Sequence, residues 1–289
     1  MSGAVPEHVT IVEMAPRDGL QNESRLVATA DKIRLVDLLS DCGYERIEVT
    51  SFVSPKWVPQ MADAAEVMAG IIRRPGTRYA VLTPNMRGLE AALDAGADEV
   101  AIFASASETF SQKNINCSIA ESIDRFRPIA DACRERGLLL RGYVSCVVEC
   151  PYEGAIAPAS AAEIAGLLDE LGCYEISLGD TIGRGTPEAV DAMLAAVLER
   201  IRSKRLAGHF HDTSGRAIDN IAVALDRGLR VFDASAGGLG GCPYAPGAAG
   251  NVDTLAVNAF VTGKGFSTSL DTAKLEQAAA FARTLRTRS

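Results

Sequence analysis

The sequence predicts an α/β chain folded as a single (β/α)8 TIM barrel with a short C-terminal helical extension, and three observations carry that expectation. Short β-rich runs alternate with segments of helical period, which is the pattern of consecutive βα units. Eight such runs can be counted, at residues 9–14, 46–50, 78–82, 99–103, 139–144, 175–178, 206–211 and 230–234. The length of 289 residues with 47% hydrophobic content suits one barrel domain spanning 1–289. A weak internal repeat supports the same unit: Gly43, Gly96, Gly137, Gly172 and Gly228 each stand one to three residues before a strand, where a helix needs a left-handed terminator.

Taken in order, each strand ends in polar residues. The first runs into Pro16-Arg17-Asp18, the second holds Glu48 and ends at Ser51, and the fifth holds Tyr143 and Ser145. The sixth ends in Asp180, the seventh in His209-Phe210-His211-Asp212, and the eighth runs into a glycine-rich loop. The helices between them have readable starts. Ser118-x-x-Glu121 and Ser160-x-x-Glu163 have the form of capping boxes, and Thr186-Pro187-Glu188 reads as N-cap, first-turn proline and first-turn acid. Ile164, Leu167, Leu168 and Leu171 form one apolar stripe, and Val190, Met193, Leu194, Val197 and Leu198 form another, each suited to a barrel wall. Residues 267–289 predict a final peripheral helix led by Leu275 and ending in basic residues.

Composition excludes several classes of function. A net charge of −8 argues against a nucleic-acid or anionic-membrane partner, which needs a dense basic face, and favours a small-molecule substrate. No run of 18 apolar residues occurs, and residues 1–7 have neither a basic nor an apolar leader region, so a cytoplasmic protein without a membrane span is expected. Seven cysteines, odd in number and scattered, predict reduced thiols, and Cys146 and Cys150 lack the second pair a zinc ribbon needs. No G-x-G-x-x-G follows the first strand, and Gly237-Gly238-Leu239-Gly240-Gly241 has the wrong spacing, which argues against NAD.

In a barrel of this type the reactive groups gather at the C-terminal ends of the strands, where these polar residues fall. His209 and His211, at i and i+2 on a strand, put both imidazoles on one face. With Asp18 they supply two nitrogens and one oxygen to a divalent ion, leaving positions for water, an amide oxygen such as that of Asn251, and substrate. The alternative is a pair of core histidines bonded to carbonyls. Arg17 is placed to meet a developing oxyanion, or is a surface cation. Glu48 and Asp180 are expected to hold Arg17 and nearby hydroxyls in position. Residues 237–251 carry six glycines around Cys242, which predicts close backbone approach to a substrate and an accessible thiol, unless Cys242 is a buried packing residue.

At these residues the chain closely resembles the 3-hydroxy-3-methylglutaryl-CoA (HMG-CoA) lyases of the metal-dependent acyl-CoA lyase and condensing-enzyme superfamily. The likeness covers almost the whole chain. It rests on Pro16-Arg17-Asp18-Gly19-Leu20-Gln21-Asn22-Glu23, the run 50–60 around Ser54-Pro55-Lys56-Trp57, and Lys113-Asn114-Ile115-Asn116-Cys117-Ser118. Ser177-Leu178-Gly179-Asp180-Thr181, His209-Phe210-His211-Asp212-Thr213 and the glycine loop complete it. The resemblance implies cleavage of HMG-CoA to acetyl-CoA and acetoacetate, with Mg²⁺ or Mn²⁺ bound by Asp18, His209, His211 and Asn251. It implies that Arg17 stabilises the thioester enolate, supported by Glu48 and Asp180, and that His209 and Cys242 handle proton transfer as the loop closes. Ser51, Asn114, Tyr143 and Ser177 match family positions lining the acyl pocket, and a homodimer or other homo-oligomer is the family expectation. For the polyanionic CoA, Lys113, Arg216 and Lys264 are candidate contacts from loop position.

Two departures bear on the distal end of the substrate. Ser214 stands where many family members have tyrosine, and Val252-Asp253-Thr254-Leu255-Ala256 lacks the glutamate that follows the asparagine in eukaryotic members. A longer or differently branched 3-hydroxy-acyl-CoA is therefore an alternative substrate. A condensing synthase joining acetyl-CoA to a 2-keto acid is a rival reading, but such enzymes read His-x-His-Asn-Asp where this chain has His211-Asp212-Thr213, and they carry a further domain. A catalytically silent acyl-CoA-binding barrel is a second rival, set against the intact set of acids and ligands.

Overall fold

Each strand of the barrel pairs in parallel with its neighbour in the chain, and the eighth pairs with the first to close the sheet. The structure, a computed structural model, describes residues 6–242 and 245–286, with 241–242 and 245–249 described in backbone alone. The strands are Thr10–Glu13, Arg46–Ser51, Arg78–Leu82, Glu99–Ser105, Leu139–Ser145, Glu175–Asp180, Leu206–Phe210 and Val231–Ala234. All eight predicted strands are present; the second, fourth, fifth and sixth run further toward the mouth than expected. The sixth reaches Asp180, while His211 leaves the seventh to form an isolated antiparallel bridge with Asn251.

The sheet's outer face meets the helices through apolar residues. Ile176 and Leu178 of the sixth strand pack in one continuous core with Ile164 and Leu168 of the helix Pro158–Glu170 and Val190, Met193, Leu194 and Val197 of the helix Pro187–Leu198. The stripes predicted from helical period are thus the wall, with Leu167 and Leu198 at its edge. Gly43, Gly96, Gly137, Gly172 and Gly228 all have positive φ, as terminators require. Ser118 and Glu121 form the capping box, and Thr186 caps its helix by accepting from the Ala189 amide. The box at Ser160 and Glu163 does not form: the helix begins at Pro158, whose fixed φ and missing N–H suit a first turn, so Ser160 already lies within it.

The last helix runs over Thr272–Leu285 and packs one face against the helix Thr29–Ser40 and the turn Ala236–Gly238. Leu275, Ala278, Ala279, Ala282 and Leu285 are buried, and its C-cap Arg286 donates to the carbonyls of Gly237, at 3.1 Å, and Gly238. It therefore anchors the turn that opens the glycine loop. Among the described residues no helix is long and apolar enough to cross a membrane.

The barrel interior is filled differently. Strand alternation points Arg46, Glu48, Glu99, Arg141, Tyr143, Glu175, Ser177, His209 and Asp233 inward, and all are buried. In the second strand, Glu48 pairs with Ala80 and Ser51 with Leu82, with the register shifting at a bulge between Glu48 and Thr50. Ala80 and Leu82 are two apart and share one face, so the bulge brings Glu48 and Ser51, three apart in sequence, to the same inner side.

A candidate metal centre at the barrel mouth

The first strand ends in a buried carboxylate that positions everything above it. Glu13 accepts from the amides of Ala15, at 2.8 Å, and Ala236, at 2.9 Å, from Thr254 Oγ1, at 3.0 Å, and from the Tyr44 hydroxyl. Burial pushes its carboxyl up to about 7, against these donors. It ties the turn after the first strand to the segment after the eighth. That turn, Ala15–Gly19, is a single π-helical turn closed by the Gly19 amide on the Met14 carbonyl at 3.0 Å, a geometry frequent at functional sites.

The turn carries Arg17 and Asp18. Arg17 donates through Nε to Glu48 Oε2 at 2.7 Å and through Nη1 to Asp18 Oδ1 at 2.6 Å, and it lies 5.6 Å from the centre of the Tyr143 ring. Its charge is locked on: burial alone would lower its pKa, but Glu48 and Asp18 raise it. Burial raises the Glu48 carboxyl despite the pull of Arg17. Burial would also raise that of Asp18, yet Arg17 and the two histidines hold it well below the usual carboxylate range.

Beside Asp18 the two histidines converge. Nε2 of His209 lies 3.2 Å from Nε2 of His211, and each is 3.9 Å from Asp18 Oδ2. All three ligand atoms lie within 4.8 Å of one another. Adjacent ligands of an octahedral Mg²⁺ at about 2.1 Å stand about 3 Å apart; the two imidazole nitrogens match that spacing at 3.2 Å, and Asp18 Oδ2 stands wider at 3.9 Å from each. Two imidazoles and a carboxylate suit Mn²⁺ as well. Asn251, bridged to His211 through the backbone, donates from Nδ2 to Asp18 Oδ2 at 2.8 Å, which keeps its amide at the edge of the cluster.

Glycine packs this cluster against the loop. A Cβ on Gly240 would meet Asn251 Nδ2 at 2.8 Å, and one on Gly19 would meet Leu239 Cβ at 2.9 Å. The close approach predicted for the glycine run is therefore, at Gly240, an approach to the ligand-bearing turns. Cys242 has its backbone in a short antiparallel pair with Ala245, and its side chain lies outside the described residues.

The remaining predicted residues divide. Ser51 is buried at the mouth side of the second strand, and its Oγ has no partner among the described residues, nor does Glu48 Oε1. Tyr143 and Ser177 lie on the inner face, but their hydroxyls are taken up, Tyr143 accepting from Arg141 Nη1 at 2.7 Å and Ser177 donating to Asp233 Oδ2 at 2.7 Å. One expectation is corrected. Asp180 does not hold Arg17: its carboxylate accepts from the amides of Gly185, at 2.8 Å, and Arg184, at 3.3 Å, fixing the loop after the sixth strand. Asn114 is exposed on the helix Glu108–Ile115, apart from the cluster's own hydrogen bonds, and its place in the acyl pocket stays an expectation.

Lys113 and Arg216 are exposed on mouth-side elements. Lys264 is not on that side. It caps the far end of the helix Thr254–Gly263, next to Ser267, which bridges His8 before the first strand. Sequence reasoning passed over Glu13, Arg141 and Asp233. Their signal was present, since a charged residue at an inward position of a buried strand must have a partner.

Residues 8–282 match the family model described as HMGL-like. The chain belongs to the HMGL-like family. It is 56% identical over 96% of its length to the mitochondrial hydroxymethylglutaryl-CoA lyase of Bos taurus, covering 86% of that protein. It is 55% identical over 92% of its length to a Pseudomonas aeruginosa protein named 3-hydroxy-3-isohexenylglutaryl-CoA/hydroxy-methylglutaryl-CoA lyase, covering 89% of it. The crystal structure of the HMG-CoA lyase from Brucella melitensis superimposes with a TM-score of 0.96 at 64% identity, over 97% of this chain and 99% of that one. The barrel and the lyase resemblance expected from the sequence are both borne out.

Proposed function

We propose that this chain is a divalent-metal-dependent carbon–carbon lyase that cleaves 3-hydroxy-3-methylglutaryl-CoA to acetyl-CoA and acetoacetate. The observation that carries the reading is the convergence of Asp18, His209 and His211, with Arg17 locked beside them, in a chain of this family. Asp18, His209 and His211 would hold Mg²⁺ or Mn²⁺, with Asn251 at their edge. A metal bound there supplies Lewis-acid polarisation of the substrate's C3 hydroxyl.

The reaction breaks the bond between C2 and C3. The hydroxyl proton leaves to a base, C3 becomes the ketone of acetoacetate, and the bonding pair passes into the thioester enolate, which takes a proton to give acetyl-CoA. Arg17, its charge fixed by two carboxylates and its position by three contacts, meets the oxyanion of that enolate. The hydroxyl of Ser51, without a partner among the described residues, is left for the acyl group. Cys242, on the glycine loop, is our candidate for the proton that ends the enolate.

Purified protein should convert the HMG thioester to acetyl-CoA and acetoacetate and show no condensation of acetyl-CoA with 2-keto acids in isotope-traced assays. Chelation should abolish turnover, and Mg²⁺ or Mn²⁺ should restore it. Full turnover by rigorously metal-free protein would overturn the assignment. The Pseudomonas relative's name, together with the exposed Ser214 at the mouth, favours a second substrate with a longer branch at C3. Comparing kcat/KM for the methyl and the longer-branched thioesters decides between a narrow and a broad acyl pocket.

A further inference from the structure

We infer that Asp233 is the positioning residue that makes His209 a metal ligand, by fixing the orientation and tautomer of its ring; this inference rests on the metal-lyase reading above. Asp233 lies on the eighth strand directly across from His209 on the seventh, the two being Cα partners in the parallel ladder. Its fully buried carboxylate places Oδ2 at 3.1 Å from His209 Nδ1. The same carboxylate is gripped from two other strands. Arg141 donates to both its oxygens, through Nη2 at 2.8 Å and Nη1 at 3.2 Å, and Ser177 donates to Oδ2 at 2.7 Å.

A carboxylate clamped by a two-pronged guanidinium is ionised and can only accept, so Nδ1 of His209 carries the proton. The neutral ring then has its one lone pair on Nε2, the atom that faces His211 and Asp18. Nδ1 of His211, by contrast, has no partner among the described residues, and its placement comes from the backbone bridge to Asn251. One ligand is therefore held by a chain of side chains running back through the barrel, Arg141 bonding Glu175 at 2.8 Å below, and the other is held from the loop.

The test is Asp233→Asn, which keeps the shape but can present an N–H to Nδ1, driving the proton to Nε2 and blocking ligation. Mn²⁺ titration followed by EPR, without substrate, should show affinity about ten- to a hundredfold weaker than native. In the metal-free protein, at a pH high enough to keep the ring neutral, ¹⁵N NMR should show His209 as the Nδ1–H tautomer in the native chain and as Nε2–H in the variant. Ile164→Val, in the outer wall and outside this chain of side chains, should lower the melting temperature and leave Mn²⁺ affinity unchanged. The native tautomer needs no variant, so the inference remains testable if Asp233→Asn does not fold. An Nε2–H tautomer in the native protein, or native Mn²⁺ affinity in Asp233→Asn, would overturn it. Failure of the native protein to bind Mn²⁺ would instead overturn the metal reading itself.

Discussion

The two faces of the barrel sheet are both buried, yet Ile176 and Leu178 point outward into an apolar wall while Glu175 and Ser177, their immediate neighbours, point inward into a lattice of charges. On the outer face, contact with helices is non-directional, and any side chains that fill the space will serve. On the inner face the charged side chains meet particular partners, although Glu48 Oε1 and Ser51 Oγ have none among the described residues. Arg46 donates through Nη1 and Nη2 to the two oxygens of Glu175, at 2.8 and 3.0 Å, Arg141 spans Glu175 and Asp233, and Asp233 reaches His209. The lesson is that burial alone says nothing of purpose. Desolvating these ions is costly, and an apolar filling would often be as stable, so the lattice makes sense as a frame that carries geometry to the mouth.

This comparison can be broken by substitution on each face. The largest effect is expected at the centre of the lattice. Arg141→Met leaves Asp233 and Glu175 without their shared cation, and denaturant unfolding should show a loss of about 3–5 kcal/mol. A neutral result would mean that the interior tolerates apolar filling as the wall does.

Next comes Arg17, at the lattice's upper edge. Arg17→Gln keeps a donor and removes the charge, so kcat should fall by about 10²–10³, the usual loss for one oxyanion donor. KM and metal affinity should change little, because the interaction grows only in the transition state. A raised KM at native kcat would make Arg17 a ground-state binder of carboxylate or phosphate.

The smallest effect belongs to the wall. Ile164→Val deletes one methylene from the helix Pro158–Glu170, and stability should drop by about 0.5–1.5 kcal/mol. Turnover per folded molecule should stay native. A fall in kcat from this change would show that the wall, too, sets the geometry of the mouth.

Much of this could be read along the chain, because the signals are local. Strand alternation, helical stripes, terminator glycines and the capping at Ser118 and Thr186 depend on residues a few positions apart, and each was legible. So were Arg17, Asp18, His209 and His211, since a turn at a strand end and an i, i+2 pair are also local patterns. Where a local signal misled, a neighbouring rule had won. Pro158 started its helix before Ser160 could cap it, and Asp180 was taken by the amides of its own loop instead of by a distant guanidinium.

What the sequence by itself determined is the eight-unit barrel, its apolar wall and the identity of the groups at its mouth, for these follow from periodicity and from turns within one βα unit. What only the tertiary structure decided is which groups meet. Asp233 and His209 are 24 residues apart, Arg141 and Asp233 are 92 apart, and Glu13 and Ala236 are 223 apart. Closing the sheet sets those distances, because strand register and the bulge at the second strand fix which inward side chains stand at the same level. A charged residue in a strand announces that it needs a partner, and only the closed barrel says which one it has.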